Sequence, residues 1–172
     1  MRNCIEKIIS LSGIDLFGFC KFLSVKDELI KCASLKRIPL NAKTIISFAI
    51  PYKVNYNGKC NVSKYALVKD YHVVIENILT DVQVNLQCEF ENYKFEIFVD
   101  NSPIPEVKAA ALCGLGAVGD NGLLITKKYG SWVFLGEIVT DLDVECREVQ
   151  IKECLHCGQC MRSCPNSIDM KD

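Results

Sequence analysis

Residues 154–165 read CLHCGQCMRSCP. Cys154, Cys157, Cys160 and Cys164 stand in the pattern C-x2-C-x2-C-x3-C, with Pro165 directly after the last. Thiolates are soft ligands, and three of them separated by two residues each can wrap one face of a cubane, because tight turns point all three sulfurs inward. This spacing is the ligand run of an iron–sulfur cluster of the 4Fe-4S kind. Zinc is the competing occupant, since C-x2-C pairs also build zinc sites. A third cysteine at the same spacing, followed by Cys-Pro, is not the two-pair zinc pattern. Gly158 suits a turn that needs positive φ, and His156, a possible zinc ligand, is read by preference as a solvent-facing turn residue. Three sources remain open for the fourth iron ligand: Cys164, a remote thiol such as Cys146 or Cys113, or a cysteine of a longer chain, the last being preferred.

A second candidate is Asp100, at the end of the alternating run KFEIFVD. A carboxyl at a strand's C-terminal edge beside apolar walls can have a raised pKa and act as a proton donor. The competing reading is a turn residue, since Asp-Asn-Ser-Pro is a strong turn sequence. Gly114, Gly116, Gly119 and Gly122 punctuate GLGAVGDNG and could bring backbone N–H groups close to a phosphate or an amide-rich cofactor. The G-x-G-x-x-G string within it follows a helix and precedes a strand, the reverse of the order in a dinucleotide-binding loop. His72, alone, is an ordinary partly buried histidine.

The elements that must position these residues alternate along the chain. Ile5, Ile8, Ile9 and Leu11 give a short helical period ended at Gly13, and residues 15–22 read as a strand. Residues 26–35 can form a short helix. TIISFAI (44–50) is the uniformly apolar run of a strand buried on both faces. Ser63 could cap a long helix running from Tyr65 through Val82. Pro105 starts a helix through Ala111, and GLLIT and SWVFLGEIVT are β-like. The fold class is therefore α+β, an α/β sandwich, with the cysteine run appended. The expected division is a domain at 1–145 and a cysteine motif at 146–172.

Composition bounds the rest. The 172 residues carry a formal net charge of -1, which argues against gripping nucleic acid by charge alone. The N-terminus lacks a signal-peptide cleavage pattern, and no window approaches the roughly 18–20 apolar residues of a membrane helix, so the reading is a cytoplasmic protein with no membrane partner. Of 11 cysteines, seven (Cys4, Cys20, Cys32, Cys60, Cys88, Cys113 and Cys146) are dispersed and are read as buried structural thiols in a reducing compartment.

Four stretches in order resemble the epoxyqueuosine reductase family: VSKYALVKDYH (62–72), FVDNSPIPEVKAAALCGLGAVGDNGLLI (98–125), YGSWVFLGEIVTDL (129–142) and the cysteine run. The resemblance implies an oxidoreductase of queuosine biosynthesis and tRNA processing that reduces epoxyqueuosine in tRNA to queuosine, using cobalamin and 4Fe-4S clusters. It implies a catalytic domain similar to reductive dehalogenases and, more distantly, to nitroreductases, with a ferredoxin-like cysteine motif. On the matching positions, Asp100 is the proton donor. Tyr65, Asp70, Tyr71, His72, Gly114, Gly116, Gly119, Asn121, Ser131 and Trp132 line the cofactor, and Cys154, Cys157, Cys160 and Cys164 hold iron. The implied partners are tRNA with a queuosine-type anticodon loop and an electron donor such as ferredoxin or flavodoxin. Departures fall at Val68, Val107, Ala117 and Asp120, where the family pattern has glycine, arginine, tryptophan and lysine. The family continues with a second cysteine motif and a helical-repeat region, so a C-terminally short member or a fragment is expected. The alternative is a non-catalytic iron–sulfur electron-transfer protein derived from that family.

Overall fold

The computed structural model describes residues 1–52, 58, 62–147 and 149–166. A four-stranded sheet forms its centre: β1 (Phe17–Lys21), β2 (Thr44–Pro51), β3 (Phe95–Phe98) and β6 (Val133–Thr140), in the order β1-β2-β6-β3. Every neighbouring pair is antiparallel. Helices α1 (Arg2–Leu11) and α2 (Tyr71–Glu89) cover one face, and α3 (Glu106–Leu112) packs against the other, making three layers. A hairpin of β4 (Ala117–Val118) and β5 (Leu124–Ile125) follows α3, and the one-turn α4 (Gln159–Arg162) lies in the cysteine run.

The apolar run in β2 is explained by these two covers. Side chains alternate across a strand, so Ile46 and Phe48 join the α1–α2 core while Ile45 and Ala49 join the clusters under α3. From the helices, Ile5 and Ile9 of α1 and Ile75, Leu79, Val82 and Leu86 of α2 present a fully buried i, i+4 stripe to that sheet face. Gly136 in β6 lets α2 approach: a Cβ there would sit 2.9 Å from Leu79 Cδ1. Burying such large aliphatic side chains is the main stabilising term, at roughly 1.5–3 kcal/mol each.

Several expectations are corrected. The long helix does not start from Ser63, which makes no side-chain cap bond; residues Lys64–Leu67 form a 3-10 turn instead. Asp70 caps α2, its Oδ1 accepting the His72 main-chain N–H at 3.0 Å. A carboxylate on an early free N–H also favours the positive end of the helix dipole, so the cap outcompetes continued periodicity. Residues 26–35 give two 3-10 turns, Lys26–Glu28 and Ala33–Arg37, rather than a helix. Pro105 is the cap residue of α3, not its first residue. Among the dispersed cysteines Cys20 is buried; Cys4, Cys32, Cys113 and Cys146 are half-buried, Cys88 is exposed on α2, and Cys60 lies outside the described residues. Among the described residues no helix is long and apolar enough to cross a membrane.

Candidate active site and cysteine loop

The end of β3 and the start of α2 meet over a cavity of about 200 Å³, lined by Tyr71, Asp100, Glu106, Val107, Leu123, Leu124, Ser131, Val133, Phe134 and Leu135. Asp100 turns the chain out of β3 with φ +61, a left-handed conformation that Asp tolerates better than most residues. Its main-chain carbonyl accepts the Ser102 N–H at 2.6 Å, and the Ser102 hydroxyl accepts the Ile104 N–H at 3.1 Å. The turn chemistry of Asp-Asn-Ser-Pro is thus used in full. It does not exclude a chemical role, because the carboxyl group points away from the turn.

That carboxyl is held by two adjacent residues at the N-terminus of α2. Tyr71 Oη donates to Asp100 Oδ1 at 2.8 Å, and His72 Nε2 lies 3.3 Å from Oδ2. His72 Nδ1 faces Asp70 Oδ1 at 2.8 Å, so the imidazole bridges two carboxylates. The bond to Asp70 is the largest cause of a raised His72 pKa; desolvation opposes it, and the bond to Asp100 adds to the rise. The same contacts, the Tyr71 hydroxyl first and His72 second, hold Asp100 below the usual carboxylate range. This corrects the expectation of a raised pKa at Asp100, whose side chain is 57% exposed. Burial, followed by the Asp100 hydrogen bond, pushes the Tyr71 hydroxyl up.

The carboxyls with raised pKa lie one layer deeper. Burial first, then the Asp100 charge, pushes Glu106 up to about 7. Glu137, wholly buried in the middle of β6, is pushed up by burial and then by Glu106, while the Ser102 hydroxyl donates to its Oε2 at 3.2 Å. Glu106 Oε1, Glu137 Oε1 and Ser47 Oγ are buried with no partner among the described residues. A neutral carboxyl needs less compensation than a charged one, which is why burial raises the pKa of both acids. Glu137 carries a visible signal, a lone acid inside SWVFLGEIVT.

The wall beside the cavity is a ladder of rings. Tyr71 stacks on Phe134 with centroids 4.2 Å apart, Phe134 on Tyr52 at 4.2 Å, and Tyr52 leans on Trp132 at 5.7 Å. His72 extends the ladder from Tyr71 at 4.0 Å, and Lys64 Nζ lies 5.4 Å from the Trp132 ring centre. Phe134 and Tyr52 gave no local signal, because stacking depends on β2 and β6 pairing. Tyr65 is half exposed and Ser131 lines the cavity.

The expected glycine cradle has a folding explanation. Gly114, with φ +78, ends α3 in a Schellman motif: Leu115 N–H donates to the Ala110 carbonyl and Gly114 N–H to that of Ala111. At Gly116 a Cβ would lie 2.5 Å from the Ile125 carbonyl oxygen, so only glycine lets β4 and β5 close. Gly119 sits tight against Asn121, whose Oδ1 accepts the Leu123 N–H at 3.3 Å within the same hairpin.

The cysteine run folds as a loop turning left-handed at His156 (φ +49) and Gly158 (φ +67), then as α4. It is tied to the hairpin by a bridge between Lys152 and Ala117. Cys154, Cys160 and Cys164 are half-buried and Cys157 is exposed. The donors that converge to the spacing of a single ion are Cys154, His156 and Asp120, not the four thiols. A cubane is wider than one ion and holds its thiolates further apart, so the all-sulfur donor set on a tight, accessible loop fits a cluster. His156 is the solvent-facing turn residue expected, its side chain 59% exposed, and its Nδ1 also lies 2.9 Å from Asp120 Oδ1. Cys113 faces Cys20 in the core, where burial pushes its thiol up, and Cys146 Sγ contacts the Val144 carbonyl at 3.3 Å.

The layers and the cavity define an α/β sandwich that matches known oxidoreductases. A family model described as "Epoxyqueuosine reductase QueG, DUF1730" matches residues 33–101. Curated epoxyqueuosine reductases of Gloeobacter violaceus and Lactococcus garvieae are 33% and 35% identical; the alignments cover 77% of this chain, and 43% and 40% of those proteins. The structure of epoxyqueuosine reductase from Streptococcus thermophilus superposes with a TM-score of 0.79 at 27% identity, over 97% of this chain and 53% of that one. A reductive dehalogenase whose structure is described as suggesting a mechanism for B12-dependent dehalogenation shares the fold, with a TM-score of 0.59 at 10% identity, over 87% of this chain and 20% of that one. The chain belongs to the epoxyqueuosine reductase family. It spans about half the length of these relatives or less.

Proposed function

We propose that this chain carries the substrate-facing part of a cytoplasmic epoxyqueuosine reductase, which removes the epoxide oxygen of epoxyqueuosine in tRNA. The supporting observation is Asp100, held in left-handed backbone at the cavity mouth by Tyr71 and His72, in a chain of this family. One solved epoxyqueuosine reductase of this fold is described with an epoxyqueuosine-modified tRNA stem loop, which supports the same substrate here.

Deoxygenation consumes two electrons and two protons: both C–O bonds break, a C=C bond forms, and the oxygen leaves as water. Cobalamin and an iron–sulfur cluster, when bound, supply the reducing electrons, drawn from a donor such as ferredoxin or flavodoxin. The cavity, about 200 Å³, is below the roughly 300–1,000 Å³ of pockets that enclose a drug-sized ligand, so its lining would contact a corrin at the mouth rather than enclose it. There the Tyr71–Phe134–Tyr52–Trp132 ladder offers a flat apolar wall, with Ser131 beside it. Cys154, Cys157 and Cys160 would hold the cluster, with Cys164 turned to it or to a second one.

The protons come from this chain's own side chains. Asp100 is the group that reaches the mouth; beside it the His72 imidazole has a raised pKa and Glu106 is pushed up to about 7. Asp100 thus relays a proton, rather than storing one. Residues 1–145 do this work and 146–172 bind iron. The test is mass spectrometry of an epoxyqueuosine-modified stem loop after incubation with reconstituted protein, cobalamin and a low-potential reductant. Loss of one oxygen mass, absent in Asp100→Asn, is expected; equal conversion by both proteins overturns the assignment.

A further inference from the structure

We infer that Asp120, Cys154 and His156 form a binding site for a single divalent transition-metal ion, with Zn²⁺ the best match, as an alternative occupant to a cluster held by the cysteine run. The three ligand atoms all lie within 4.8 Å of one another. His156 Nδ1 is 2.9 Å from Asp120 Oδ1 and 3.1 Å from Oδ2, and the His156 main-chain N–H donates to Cys154 Sγ at 3.3 Å. Zinc bonds of about 2.0–2.3 Å place tetrahedral ligands roughly 3.3–3.8 Å apart. The donors therefore bracket that spacing, and side-chain rotations of about an ångström would close it. A nitrogen, a thiolate and a carboxylate form the mixed, borderline-soft set that zinc takes, and three protein ligands leave a fourth position for water.

The site is built rather than incidental. Asp120 comes from the hairpin turn and Cys154 and His156 from the loop, two segments tied together by the Ala117–Lys152 bridge and by the Val118 N–H bond to the Lys152 carbonyl at 3.2 Å. The Asp120 side chain is 13% exposed, withdrawn from solvent. His156 is turned towards it by a left-handed backbone, φ +49, which a β-carbon residue adopts at a cost. On binding, the ion replaces the Asp120–His156 contact, the Cys154 thiol becomes a bound thiolate, and its proton leaves to solvent. One sulfur cannot serve both occupants. The ion and a cluster using Cys154 therefore exclude one another, so the ion occupies this corner when no cluster is assembled.

The test titrates the cluster-free, reduced chain with Co²⁺ under anaerobic conditions, then displaces it with Zn²⁺. One equivalent should bind with a thiolate-to-cobalt charge-transfer band and the visible bands of tetrahedral cobalt. Asp120→Asn, His156→Ala and Cys154→Ser should each weaken binding about 100-fold or more, while Cys157→Ser and Cys160→Ser leave it unchanged; circular dichroism verifies folding of every variant. Binding that ignores Asp120→Asn and needs Cys157 or Cys160 overturns the site. Iron and acid-labile sulfide after reconstitution read the cluster separately. Full cluster loading with cobalt bound only through Cys157 and Cys160 refutes this inference alone. Cobalt held at Asp120 in a chain that never assembles a cluster supports it and refutes the iron–sulfur reading instead.

Discussion

The molecule has two histidines, and each faces an aspartate, yet the surroundings give them opposite uses. His72 sits in the first turn of α2 between Asp70 and Asp100, stacked on Tyr71, beside a cavity backed by Glu106. Its hydrogen-bond partners are carboxylate oxygens that favour the protonated ring, in keeping with the proposed role of this corner in passing protons. His156 sits on an irregular loop against one carboxylate, and its own N–H contacts a sulfur. A soft donor beside a nitrogen and an oxygen makes that corner a place for a cation. Proximity to an acid does not decide a histidine's role; the third neighbour does.

The largest expected effect breaks the first corner. Asp100→Asn leaves the fold intact and keeps an acceptor oxygen for Tyr71 but removes the ionisable carboxyl and its charge beside His72, and turnover should fall about 100-fold or more, in line with loss of a general acid–base group. A fall of less than about threefold in single-turnover rate would detach Asp100 from the chemistry.

Next is the proton store. Glu106 is about 7 in the folded chain against 4.5 when free, so between those values the native state binds more protons than the unfolded one. Stability from this group is therefore full at low pH and is lost as pH rises from 4.5 to about 7, by up to roughly 3 kcal/mol. Glu106→Gln removes that loss, so its melting temperature relative to the natural chain should climb between pH 5 and pH 8. Parallel melting curves across that range would show that Glu106 is not held neutral.

The second corner is probed at its turn. Gly158→Ala imposes a β-carbon at φ +67 and should cost roughly 1–2 kcal/mol of local stability, read as weaker Co²⁺ binding and faster proteolysis of the loop. Unchanged binding would mean that the left-handed turn does not shape the site. The smallest effect is at the α2 cap: Asp70→Ala should cost about 1 kcal/mol in denaturant unfolding and lower the His72 pKa by NMR titration. A cap loss with no movement of His72 would show that Asp100 alone sets its charge.

Much of the first corner was legible because its residues are close in sequence or carry the chain's turns. Asp70, Tyr71 and His72 are consecutive, and Asp100 opens a turn written in Asp-Asn-Ser-Pro. What stayed hidden was the protonation pattern. Asp100 reads as a buried acid beside apolar residues, but the hydroxyl and imidazole that lower its pKa arrive from a helix 29 and 28 positions earlier in the chain. Nothing local in the sequence marks Glu106, whose raised pKa comes from burial in the folded chain and from the charge of Asp100. The start of α2 was misread because helical periodicity extends through 65–68 while the cap that ends it is a single side-chain bond.

By itself the sequence determined the α+β alternation, the apolar stripe that α2 buries, the turn at Asp100, the family and the cysteine run, since period, turn chemistry and ligand spacing are local properties. Only the tertiary structure decided that the sheet is antiparallel, that Glu137 lies in its centre, that four aromatic rings form one wall, and that Asp120 meets Cys154 and His156. Those are encounters between segments tens of residues apart, and which groups meet there depends on how β6 and the hairpin pack, which no local pattern encodes.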